Sequence, residues 1–183
     1  MSVRVGIKKV LLYGVFTGYI ILLIKILFLS RVSISELFSG QRSVVRSINL
    51  IPFHSINEFI SGSTSHIQQF AMGNVVGNIL IFIPLGVYLA LFKTNKRIIN
   101  NVLLILIVSV MVEIIQGLLG IGSADIDDIF LNGLGGWMGI VVYKSCLFLL
   151  RDEKKTITVV TVLSAIVGIP VIYYLLFMIK MRF

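Results

Sequence analysis

Glu113–Gly139 reads E-I-I-Q-G-L-L-G-I-G-S-A-D-I-D-D-I-F-L-N-G-L-G-G-W-M-G. It holds four of the chain's eight acidic residues, Glu113, Asp125, Asp127 and Asp128, together with Gln116, Asn132 and several glycines, between long apolar runs. An apolar run, a glycine-rich turn and a second run that opens on aspartates make the pattern of a helical hairpin. Asp is a good N-cap and suits a helix N-terminus electrostatically. Asp127, by its position, is the expected cap of the second helix. Three aspartates in four positions exceed what a cap needs.

Outward from this stretch the chain is apolar. Of its 183 residues 57% are hydrophobic and 13% charged, with a mean hydropathy of +1.03, whereas a soluble domain carries about 25% charged residues. Five runs, about 8–29, 71–92, 98–119, 128–150 and 156–179, reach the ~20 residues that a helix needs to cross a bilayer. The expected fold class is all-α: a polytopic transmembrane helical bundle of about five spans, a single integral membrane domain over 1–183. The first run is longer than the apolar core of a secretory signal, and no A-x-A-like site follows it, so it reads as an uncleaved span. The chain has no periodic internal repeat and no low-complexity tail.

A net charge of +8 would suggest nucleic acid in a soluble protein. Here the basic residues flank the spans, so they read as topology signals and nucleic acid is not an expected partner. Arg4, Lys8 and Lys9, then Lys93, Lys96 and Arg97, then Arg151, Lys154 and Lys155 fall on one side if the spans alternate. Arg31, Arg42, Arg46, Lys180 and Arg182 fall on the other. The tight clusters place the N-terminus in the cytoplasm. Lys180 and Arg182 run against that rule, which makes the fifth span the weakest.

Residues 31–70 are the one sizeable polar stretch, expected outside. Pro52 biases Ile51 to an extended conformation and can open a helix. Phe53, Ile56, Phe59 and Ile60 then recur at helical spacing, an amphipathic segment suited to the membrane interface, which Gly62, Ser63, Thr64 and Ser65 end. His54 and His66 are 12 residues apart and have no metal spacing, so each reads as a solvated or hydrogen-bonded side chain. Cys146, the one cysteine, reads as a small buried hydrophobe.

Polar residues recur inside the spans. Asn74 and Asn78 share one face of span two, Glu113 and Gln116 one face of span three, Asp128 and Asn132 one face of span four. At ~1.5 Å per residue, Asn78, Glu113 and Asn132 lie roughly 10, 9 and 6 Å below the outer ends of their spans. Three helices thus carry polar groups into the outer half of a ~30 Å hydrocarbon core. The simplest arrangement is one outward-opening polar pocket. Its candidate binding residues are Asn74, Asn78, Glu113, Gln116, Asp125, Asp128 and Asn132. The competing arrangement is a hydrogen-bonded clasp that only locks the bundle. Intramembrane ionisable residues point to function by default. The aspartates also have the hard oxygens that suit Mg²⁺ or Ca²⁺, but the run lacks the full calcium-loop pattern, and no cofactor is expected. Gly14-x-x-x-Gly18 and Gly135-x-x-x-Gly139 permit close helix approach, within the chain or between copies, so the oligomeric state stays open.

Four motifs in order carry a resemblance: Asn49-x-x-Pro52-Phe53; Gly77-Asn78-x-x-x-Phe82-x-Pro84-x-Gly86; Glu113-x-x-Gln116; and Asp125-x-Asp127-Asp128-x-x-x-Asn132-x-x-Gly135-x-x-x-Gly139. Over about 49–145 the chain resembles the VanZ-like family of bacterial membrane proteins. In many members an Arg stands in the turn before the acidic run. Here Gly122 takes that place, with Ile121 beside it, so any pairing made by that Arg is put in doubt. The resemblance implies a multi-pass protein of the bacterial plasma membrane. It also implies a link to low-level resistance to teicoplanin, a lipid-tailed glycopeptide, although members need not all confer resistance. The expected partners are membrane lipids and a lipid-linked envelope component or lipoglycopeptide. A membrane-embedded, metal-assisted enzyme acting on a lipid head group is the alternative, with Glu113 or Asp128 as base or ligand. No nucleophile motif, histidine cluster or basic phosphate clamp supports it. Transport lacks its signature too, since there is no inverted repeat and no charged path through the inner half.

Overall fold

The computed structural model describes residues 2–29, 47–92 and 97–178. The expectations for residues 30–46 and for Lys93, Lys96, Lys180 and Arg182 lie outside them. The elements are α1 (Ser2–Leu29), β1 (Ser47–Asn49), α2 (His54–Ser61), α3 (Ser65–Phe92), α4 (Ile98–Leu119), β2 (Ser123–Asp125), α5 (Ile126–Leu150) and α6 (Glu153–Leu163). After α6 the helix continues through a π turn (Ser164–Gly168), a short segment α7 (Ile169–Tyr173) and a second π turn (Tyr174–Met178).

Among the described residues five helices are long and apolar enough to cross a membrane: Gly6–Leu29, Ser65–Phe92, Ile98–Leu119, Ile126–Leu150 and Glu153–Tyr173. The protein is therefore an all-α, multi-pass membrane protein. The helix that carries span two starts at Ser65, six residues before the apolar run at 71, because helix formation does not stop where the apolar run stops. At 28 residues α3 is ~42 Å long, more than a ~30 Å hydrocarbon core requires. α3 also stays helical through Pro84. In the last helix the first π turn ends two residues before Pro170, and such turns accommodate a residue that cannot donate to the helical ladder.

The chain forms two compact units. The first takes its described residues from 1–42 and 143–183. Here Lys8 Nζ donates to Thr158 Oγ1 (3.2 Å), and a Cβ at Gly18 would touch Ile172 Cδ1 (3.5 Å). These contacts advance together along both chains, so α1 and the last helix run parallel. Gly18 thus serves close packing within the chain. α5 turns into α6 through Arg151, which takes φ 49°. Asp152 caps α6, its Oδ1 accepting from Lys154 N (2.8 Å) and Lys155 N (3.2 Å).

The second unit, 43–142, contains α2, α3, α4, most of α5 and a two-stranded parallel pairing. β1 pairs with β2 in the register Ser47–Ser123, Ile48–Ala124, Asn49–Asp125. Nothing in the alternation of the sequence announces this pairing. α4 is polar inside and apolar outside: Asn101, Ile105, Ser109, Val112, Glu113 and Gln116 are buried, while Leu103, Ile107, Met111, Ile114 and Leu118 are exposed. That inversion is what a helix facing lipid requires. Polar atoms in hydrocarbon cost several kcal/mol each, so they turn toward partners in the bundle.

α3 and α5 meet through glycines. A Cβ at Gly135 would overlap the Ile79 carbonyl oxygen, one at Gly139 that of Ile83, and one at Gly86 that of Gly136. The contacts of Gly135 and Gly139 advance together along both helices, so α3 and α5 run parallel. α4 runs against α5: Gly133 faces Leu106 and Gly136 faces Ile105.

Candidate functional site

The acidic stretch does not close only on itself. It binds the segment 49–55. Asp125 is the residue before α5, and its Oδ1 accepts from Asp127 N (2.9 Å), so Asp125 is the N-cap of this helix. The expectation that Asp127 fills that role is corrected. Asp127 is already in the first turn of α5, and its carboxylate reaches another helix. Oδ1 accepts from Phe53 N (2.6 Å) and Oδ2 from Ser55 N (2.8 Å). Asp127 thus caps α2 from across the fold. It is 1% exposed, and each hydrogen bond to its charge stabilises by about 1.5–3 kcal/mol.

The same bonds hold Phe53 at φ 64°, a left-handed conformation that costs a non-glycine residue roughly 1–2 kcal/mol. Two charge-assisted bonds outweigh that strain. With the backbone so turned, the Phe53 side chain is exposed.

The second oxygen of Asp125 accepts from Asn49 Nδ2 (3.1 Å) and Ser55 Oγ (3.2 Å). Asn49 Oδ1 in turn accepts from Ile51 N (3.2 Å), a local turn that leads the chain toward Pro52. Beneath, Glu113 Oε2 accepts from Asp125 N (2.9 Å). Glu113 is 5% exposed. α4 ends at Gly120, whose φ of 56° is a left-handed cap that glycine adopts without a Cβ penalty. Gly120 N donates to Gly117 O and Ile121 N to Gln116 O, and this turn brings the aspartates over Glu113.

Two further pairs extend the polar interior. Asn74 Nδ2 donates to Asp128 Oδ1 (2.9 Å), joining α3 to α5. One turn further along α5, Asn132 Nδ2 donates to Ser109 Oγ (2.9 Å), joining α5 to α4. The next layer is apolar: Phe82 and Ile105 have no exposed surface. The polar groups therefore form a column of three layers sealed at its inner end. Asn49, Ser55, Asp125 and Asp127 form the outermost layer. Glu113, Asn74 and Asp128 form the middle one, and Asn78, Ser109 and Asn132 the innermost.

Of the sequence candidates, the structure joins Glu113 with Asp125 and Asn74 with Asp128. Gln116 is buried one turn beyond Glu113. Asn132 bonds Ser109 rather than Glu113, and Asn78 shares the level of Asn132 on the neighbouring helix. The sequence candidates did not include Asn49, Ser55, Ser109 and Asp127, although Asn49 and Asp127 stood in the motifs. Ser109 carried a signal, standing one turn before Glu113 on the same face of α4. Ser55 carried none, because the fold alone brings it to Asp125.

Among the described residues no three His, Cys, Asp or Glu side chains are grouped as metal donors. The oxygens of Asp125 and Asp127 instead face N–H and O–H donors, an environment built for anions. His54 and His66 are both exposed, and His54 Nδ1 is 3.9 Å from Glu58 Oε2 along the surface of α2.

The sequence profile of the VanZ/LLP1 family matches residues 16–151, a longer stretch than the four motifs span. Protein VanZ of Enterococcus faecium is 29% identical over 136 residues, which cover 74% of each chain. No solved structure matches.

Proposed function

The chain belongs to the VanZ/LLP1 family, and from that premise we propose that it is a non-catalytic protein of the bacterial plasma membrane. It binds a lipid-linked or lipid-tailed molecule at the outer surface and so lowers susceptibility to teicoplanin-type lipoglycopeptides. The observation that carries this reading is the clasp of Asp125, Asp127 and Glu113 on the segment 49–55. The clasp presents an apolar surface, Ile48, Leu50, Ile51, Phe53 and Ile60, all more than 60% exposed, beside a column of amides and carboxylates. A ligand with an acyl tail and a polar head needs both kinds of surface side by side. In this reading the N-terminus is cytoplasmic and the column opens outward.

The test is drug susceptibility in a sensitive Gram-positive host expressing the chain. Expression raises the inhibitory concentration of teicoplanin but not that of a glycopeptide without a lipid tail. Glu113→Gln, which keeps shape and removes charge, weakens the effect at unchanged protein level in the membrane. Ile60→Ser removes apolar surface without disturbing packing and does the same. Protection equal for both drugs, or untouched by either substitution, defeats the proposal.

A further inference from the structure

The inner layer of the column ends on two atoms that the rest of it does not serve. Asn132 is 1% exposed. Its amide nitrogen donates to Ser109, but its Oδ1 is buried with no hydrogen-bond partner among the described residues. On α3, Asn78 Nδ2 is likewise buried with no hydrogen-bond partner among them. The register puts the two at one level. Asn74 is bonded to Asp128, Gly135 lies on Ile79 and Gly139 on Ile83. Asn78 and Asn132 each follow their bonded residue by four positions, one turn of two parallel helices.

A donor on one helix and an acceptor on the next, not bonded to each other, are both satisfied by a group that accepts and donates, and the smallest such group does so through one oxygen. A carbonyl or phosphate oxygen only accepts, and an ammonium only donates. A hydroxyl oxygen accepts from Asn78 Nδ2 while its O–H donates to Asn132 Oδ1. We propose that Asn78 and Asn132 form a binding site for a hydroxyl group inside the α3–α4–α5 unit. Phe82 and Ile105 floor the site. That hydroxyl belongs to an internal water or to the glycerol or sugar head group of a membrane lipid. The surface of α3 beside Asn74 and Asn78 leaves room for a lipid, since a Cβ at Gly73 or Gly77 would meet nothing within 4 Å. The inference deepens the proposed function by naming the chemistry at the foot of the same column. Its test reads stability and structure rather than drug susceptibility, so either can fail alone.

The experiment is a double-mutant cycle on the purified chain in lipid nanodiscs, with Asn78→Leu, Asn132→Leu and the pair, followed by melting temperature. Each single substitution strands the partner that shared the hydroxyl. The double variant therefore melts higher than the sum of the two single shifts predicts. Purely additive shifts overturn the proposal. Mass spectrometry of co-purified lipid separates the sources. A glycerol- or sugar-headed lipid retained by the parent and lost from Asn78→Leu assigns the hydroxyl to lipid. Equal lipid content with a non-additive cycle assigns it to water. Should a variant fail to fold, a crystal structure of the parent from a lipidic mesophase decides. Density within hydrogen-bond distance of both amides is expected, whereas Asn78 and Asn132 bonded to each other, or each to a separate protein group, overturns the site.

Discussion

Asp127 sits two residues into α5 and serves α2, and its replacement separates local from tertiary roles. Asp127→Ala leaves the Asp125 cap of α5 intact but strands the amides of Phe53 and Ser55. With two charge-assisted bonds lost at about 1.5–3 kcal/mol each, residues 53–61 are expected to exchange amide hydrogen much faster while 126–150 stay protected. Hydrogen exchange by mass spectrometry checks this, and equal acceleration in both segments would mean that Asp127 caps its own helix. The sequence identified Asp127 as a cap, because the residue type and its place before an apolar run are local properties. It did not identify which helix is capped, because Phe53 and Asp127 are 74 positions apart. For the same reason Glu113 was legible as buried, while its bond from the backbone amide of Asp125 was not.

Helices pack through surfaces that composition lists but does not pair. Gly135-x-x-x-Gly139 reads equally well as a contact between copies or within one chain. The structure places it against the backbone of α3 at Ile79 and Ile83. Gly139→Ala forces the two helices apart, a cost of about 1–3 kcal/mol or more for overpacking, and lowers the melting temperature. Gly77→Ala, where a Cβ meets nothing within 4 Å, leaves it unchanged or raises it. Thermal unfolding followed by circular dichroism in nanodiscs distinguishes the two glycines, which the sequence pattern alone treats alike. α4 was the most legible element. Its polar residues fall on one helical face, and in lipid that face must turn inward. The pairing of β1 with β2 was the least legible. Three-residue strands carry no periodicity, and the last pair of their register, Asn49 with Asp125, is also joined by a side-chain bond.

Within each unit the helix directions agree with alternating crossings: α1 runs parallel to the last helix, and α3 parallel to α5 and against α4. If the N-terminus is cytoplasmic, the turn between α2 and α3 is outside and the α5–α6 turn inside. A single cysteine introduced at Ser63, in a chain whose native Cys146 is replaced by Ala, is then labelled on intact cells by a membrane-impermeant maleimide. One at Glu153 is labelled only after lysis. The reverse pattern would invert the topology and put the clasp on the cytoplasmic side. Five helices long and apolar enough to cross a membrane, and the helical class, followed from the sequence alone, because the length and apolarity of a run are local properties. Which polar residues are partners was decided only by the tertiary structure. Asp125 and Asp127 take donors from residues 49–55, about 70 positions earlier in the chain, and a bond of that range has no local signature.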